Sequence, residues 1–157
     1  MKRNSKKDST NKLLSQNKYA KFQYEIINTI EAGIALLGTE VKSVRLGKVN
    51  LRDGYCTFRD HEILLKNVHI SPHTNVGDFF NHDPLRERKL LIHKNEILKL
   101  KINTEKKGLT IVPLSIYLKG SWIKIKIGVG KGKKLHDKRQ ADKAKNVRRE
   151  IRSALIR

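Results

Sequence analysis

The sequence is short of the residues from which many protein chemistries are built. Its one cysteine among 157 residues, Cys56, excludes an internal disulfide and a cysteine-based zinc cluster, and its expected role is a small core residue in a strand. The six histidines are scattered. Pro72 separates His69 from His73 and breaks any helix on which they would share a face, so neither a metal nor another cofactor is expected. No apolar run approaches the roughly 20 residues that span a bilayer, and the basic opening MKRNSKKDST leads into no apolar stretch of a secretory signal. No membrane partner and a cytoplasmic location are the expectations. Acids are scarce as well: 15 Asp and Glu face 35 Lys and Arg, a formal charge of +20.

A compact chain with that excess repels itself and calls for a polyanion. Nucleic acid is the expected one, because neutralising phosphates releases condensed counterions without any sequence readout. Enzymatic readings find little support. GVGKGKK, residues 128–134, lacks the spacing of a phosphate loop, and no nucleophile–histidine constellation can be picked out, so no catalytic residue is expected.

The length suits one domain with tails. Residues 1–18, polar and basic, read as a flexible arm. Residues 19–130 read as the folded domain. Phe22 to Leu37 predicts a long strand, kinked or bulged near Gly33. Residues 40–46 predict a short helix with Thr39 as N-cap, and 50–59 and 63–70 a strand hairpin about a turn at 59–62. A long loop over 71–85 and a strand over 86–92 follow. Residues 95–106 predict a second helix, with Ile97, Leu98, Leu100 and Ile102 at helical spacings. Residues 109–118 and 122–129 predict another hairpin, with Ile123, Ile125, Ile127 and Val129 inward and Lys124 and Lys126 outward, on a face that is either simply solvated or in contact with phosphate. About six strands and two short helices predict a mainly β, OB-like antiparallel barrel.

Residues 131–157 form a basic tail with eleven Lys and Arg against three acids, a net of +8. Repulsion predicts that it is disordered when free. Asp137 and Gln140 are nevertheless placed like an N-cap and its N3 partner, and Ala141, Ala144, Val147, Ile151, Ala154 and Leu155 make a narrow apolar stripe. Two readings stay open: a helix that forms against a phosphate-lined groove, or a solvated tail that raises affinity for any RNA.

Four collinear strings then carry a likeness: EAGIALLGTEVKSVRLGKVNLRDGY from Glu31 to Tyr55, DPLRERKLLI from Asp83, KGLTIVPLSIY from Lys107 and KIGVGKGKKLHDKR from Lys126. Together they closely resemble the signature of the SmpB family. The resemblance implies an OB-type barrel, binding to the tRNA-like part of transfer-messenger RNA (tmRNA, SsrA), and delivery to stalled ribosomes for trans-translation. The protein then stands in for the missing anticodon arm, as a monomer in the complex, and its tail enters the empty mRNA path. A ribosomal or ribosome-assembly protein is the competing reading.

Carried over by position, the resemblance implies an RNA surface that includes Glu31 and Leu91, with Gly33, Gly38, Lys42 and Asn50 as weaker members. Read alone, Glu31 is a surface acid, Leu91 a core residue and the glycines backbone necessities. Arg86, Arg88 and Lys89 enter a strand where Arg86 and Arg88 share a face, either to reach phosphate or to guard an edge. His93 stands where relatives often have Asn beside the RNA. Phe22, where some relatives have His, and Tyr55 are implied to look toward the decoding centre, with core packing as the alternative. The tail residues Lys131, Lys133, Lys134, Asp137, Lys138, Arg139, Ile151 and Leu155 are expected to face the ribosome.

Overall fold

The structure, a computed structural model, describes residues 11–155. Among them are nine strands and four α-helices: β1 (Asn11–Gln16), α1 (Ala20–Gln23), β2 (Tyr24–Ile34), α2 (Gly38–Arg45), β3 (Val49–Asn50), β4 (Tyr55–Arg59), β5 (Glu62–Lys66), β6 (His69–Ile70), β7 (Arg88–Leu91), α3 (Lys94–Lys107), β8 (Thr110–Lys119), β9 (Trp122–Gly132) and α4 (Leu135–Ala154). The chain is thus mixed α/β, with a large sheet and several helices, where the pattern of segments in the sequence predicts a mainly β protein with about six strands and two short helices.

Seven strands share one antiparallel sheet in the order β1-β8-β4-β5-β7-β2-β9, and β9 also pairs with β8. β3 and β6 pair separately. The inner face follows from alternation, since Ile125 and Ile127 are fully buried while Lys126 between them is exposed. Ile63, Leu65, Leu90, Ile111 and Ile116 from the neighbouring strands complete the core with Val44 of α2 and Ile97 and Leu100 of α3. Gly108, at φ 59°, ends α3 in the left-handed conformation that glycine adopts without strain.

Several expectations change. Part of the predicted arm is ordered: β1 pairs with β8 from Asn11↔Lys119 to Gln16↔Ser115, because the long β8 offers an edge beyond the point where β4 meets it at Ile111. Residues 1–10 of that arm lie outside the described residues, as do 156–157 of the tail. The bulge in β2 falls at Ile27, between the paired residues Ile26 and Asn28, and not at Gly33. A Cβ on Gly33 would lie 3.0 Å from Leu91 Cβ, so that glycine serves close strand approach. The predicted strand over 63–70 is broken at Asn67, whose φ is 56°, and that over 50–59 divides into β3 and β4. On α3, Leu98 and Ile102 are exposed; Thr104 takes the inner position instead and returns its hydroxyl to Leu100 O at 2.9 Å. The N-cap of α2 is Leu37, not Thr39, and that of α4 is Lys134, not Asp137, which lies in the first turn, where its charge suits the helix dipole.

Candidate nucleic-acid interface

Five of the ten residues implied for RNA, Glu31, Gly33, Lys89, Leu91 and His93, line one groove of about 800 Å³. They come from β2, β7 and the β7–α3 junction. Gly33 faces Leu91 in the β2–β7 ladder; with no side chain at Gly33, Leu91 lies over the strand and remains 55% exposed. Leu91 is therefore a surface residue, and the core reading of it is wrong. His93 is the N-cap of α3, so its ring stands at the positive end of a helix beside Lys94.

Glu31 is held in place. Its carboxylate accepts the Tyr117 hydroxyl at 2.5 Å and the Lys119 ammonium at 3.1 Å. These two bonds outweigh partial burial and hold the carboxyl below its ordinary range. Tyr117 responds in the opposite sense, as burial and then the bond to Glu31 push its phenol up to about 12. An ionised acceptor with a fixed orientation can take hydrogen bonds from base amino groups or a ribose hydroxyl. Lys89 donates to Glu62 across β5 and β7.

The remaining residues divide. Gly38 and Lys42, on α2, do not line the groove. Arg86 and Arg88 do not act as a phosphate pair: Arg88 is fully buried and bonded to Glu40, and Arg86 bonds the same carboxylate. The alternation of β7 turns Arg88 inward, so its expected contact with RNA is corrected to a structural role. Asn50 lies with Phe22 in a second groove of about 660 Å³, where Tyr19 and Phe22 rings stand 5.4 Å apart and the Arg52 guanidinium covers Tyr19. Tyr55, 41% exposed, lines an adjoining hollow that shares Asn17 and Arg52 with this groove. Phe22 and Tyr55 thus occupy one end of the molecule.

The tail departs from the same end. Lys133 donates its backbone N–H to Gln23 O and its ammonium to Lys21 O, and Lys131 faces Glu25 in the β2–β9 ladder. Lys134, Asp137, Lys138 and Arg139 form the cap and first turns of α4, whose Asp142 and Lys145 reach the second groove. Ile151 and Leu155 are exposed.

The family model described as SmpB protein matches residues 14–157. The chain belongs to the SmpB family. An SsrA-binding protein of Prochlorococcus marinus subsp. pastoris is 77% identical over 152 residues, 97% of this chain and 87% of that one. One from Prochlorococcus marinus strain MIT 9515 is 76% identical over 155 residues, 99% and 94%. A solved SmpB structure described as "tmRNA-SmpB: a journey to the center of the bacterial ribosome" has a TM-score of 0.64 at 46% identity, covering 86% of this chain and 94% of its own.

Within this SmpB fold the groove also gathers His61, Glu62, Lys94, Glu96 and Lys124, none of which the SmpB likeness marks as RNA-contacting. Lys124 had a signal, its outward position in an alternating strand. The others are brought in by the β4–β5 turn and the start of α3, which sequence spacing does not relate to Glu31. Tyr117 and Lys119, which fix Glu31, lie 86 and 88 residues from it.

Proposed function

We infer that the chain binds the tRNA-like domain of transfer-messenger RNA and delivers it to stalled ribosomes for trans-translation, acting as an RNA-binding adaptor and not as an enzyme. The observation that carries this reading is the groove, which brings the oriented acid Glu31 and the exposed Leu91 from separate family blocks to one face with the basic side chains of Lys89, Lys94 and Lys124. The tmRNA partner follows from membership of the family and from relatives named SsrA-binding proteins. The work takes place in the cytoplasm on ribosomes.

The sheet is read as an OB-type barrel. Pairing passes from β8 through β4, β5, β7, β2 and β9 and returns to β8, which supports closure. The barrel carries the RNA at the groove, and the end bearing Phe22 and Tyr55 turns to the decoding centre, in place of an anticodon arm. The tail, helical over Leu135–Ala154 in the structure against the expectation of disorder, enters the empty mRNA path.

Binding of the purified full chain to the tRNA-like domain, measured against an unrelated RNA duplex across a salt series, tests the reading. A clear preference for the tRNA-like domain is expected, with log affinity falling linearly in log salt. Equal affinity for both RNAs overturns it.

A further inference from the structure

The outer face of the sheet continues beyond the groove. Ladder partners run in one row from Leu13 to Tyr117, Lys124, Gly33 and Leu91, crossing β1, β8, β9, β2 and β7, and residues opposite one another share a face. Along β9, Trp122 lies two residues from Lys124, on the same face and roughly 7 Å away. Its ladder partner is Lys119, whose ammonium is held by the same Glu31 that lines the groove.

Trp122 is 76% exposed and is the one tryptophan of the chain. It begins a long strand behind a tight turn at Gly120, so little backbone freedom is lost when a partner meets it. A large exposed ring on a fixed strand marks a contact surface. The neighbouring charges select the partner: Lys119, the ladder partner of Trp122, and Lys124, two residues along β9, flank the indole, and Lys126 continues the same row. An apolar protein cleft would desolvate these ammoniums, whereas RNA places phosphates on them and a base on the ring.

We propose that Trp122 is a stacking platform for an unpaired nucleobase of the RNA held in the groove, so that the RNA surface extends across β9 and β8 to the β8–β9 hairpin. The proposal rests on the RNA reading of the groove and adds a contact that the groove alone does not contain.

The single indole allows a direct test with the full chain and the labelled tRNA-like domain. Binding is followed by gel shift, and Trp122 emission and its quenching by acrylamide are read on the same complex. Quenched emission and protection from acrylamide are expected. Trp122→Ala should weaken binding on the order of ten-fold, as expected for one lost base stack, and Trp122→Phe should restore most of it; circular dichroism confirms the fold of both. Unchanged affinity of Trp122→Ala, with an indole still open to acrylamide in the complex, overturns the platform and leaves the groove reading standing. Protection that arises only on ribosomes, and not with the RNA alone, also overturns it by assigning the ring to a different partner. Failure of the wild type to prefer this RNA overturns both.

Discussion

Arg88 Nε donates to Glu40 Oε1 over 2.8 Å, with both side chains fully buried. The pair is completed on every side. Arg88 also donates to Val68 O at 2.7 Å and Pro84 O at 3.0 Å, while Glu40 Oε2 accepts Arg86 Nη2 at 2.7 Å and the Leu37 N–H at 2.8 Å. One carboxylate thereby ties α2, β7 and the segment before β7 together. The position of β7 sets that of Leu91, so this cluster supports the groove from inside the fold.

Glu40→Gln should destabilise the protein by about 3 to 5 kcal/mol, because it leaves the Arg88 charge buried without its counter-ion. Urea unfolding followed by circular dichroism measures it. Burial alone would raise the Glu40 carboxyl, yet Arg86, the Leu37 N–H and Arg88 outweigh it and hold the carboxyl below its ordinary range. Its stabilising contribution is therefore present above the unfolded-state value of about 4.3 and is lost as pH falls through the lower folded value. Wild type should lose stability on acidification below about pH 4.3 more steeply than the Gln variant, which has no carboxyl to protonate. Parallel pH profiles would remove Glu40 from the account.

How far the sequence could be read depended on the range of the contacts. The β8–β9 hairpin and α3 were legible because alternation and helical spacing are local, and Gly108 and Gly120 sit at their ends. The Glu40 cluster was not. Arg86 and Arg88 at a spacing of two look alike in sequence, and only the pairing of β7 with β5 and β2 shows that one points inward to an acid 48 residues away. β1 was hidden for a related reason: within Asn11–Gln16 only Leu13 and Leu14 are apolar, and its order comes from the edge that β8 presents together with Leu14 packed against the core. Of the candidate surface, the family blocks led to Glu31 and Leu91. His61 and Lys94 enter the groove only through the fold.

Glu31→Ala should weaken binding to the tRNA-like RNA several-fold while strengthening binding to unrelated RNA. It removes the oriented acceptor, and it also releases Lys119 and adds to a charge already at +20, which favours any polyanion. The opposite signs separate recognition from general electrostatics. Competition binding with the two RNAs reads both at once, and a gain for both would return Glu31 to a plain surface acid.

Cys56 should be inert in the folded protein. It is buried in β4, and burial pushes its thiol up to about 12, so almost no thiolate is present near neutral pH. Reaction with a chromogenic disulfide reagent should be slow in buffer and fast in urea. Rapid labelling of the native chain would mean that β4 opens readily from β5.

The tail tests whether its helix or only its charge matters. α4 spans 20 residues, and its apolar residues Val147, Ile151 and Leu155 recur every fourth position along one side, all exposed. None of the residues that line the groove around Glu31 lies on it. Deleting residues 135–157 should therefore leave binding to the tRNA-like RNA within about two-fold at moderate salt, where distant charges are screened, and abolish peptide tagging on stalled ribosomes. Ile151→Pro with Leu155→Pro keeps every charge and removes two backbone donors, one of them the Leu155 N–H that bonds Ile151 O at 3.1 Å. If ordering along a phosphate-lined path requires a helix, this variant should bind RNA like wild type and tag poorly in a reconstituted translation reaction. Tagging at the wild-type rate would show that a mobile basic tail suffices and that the exposed stripe has no part in it.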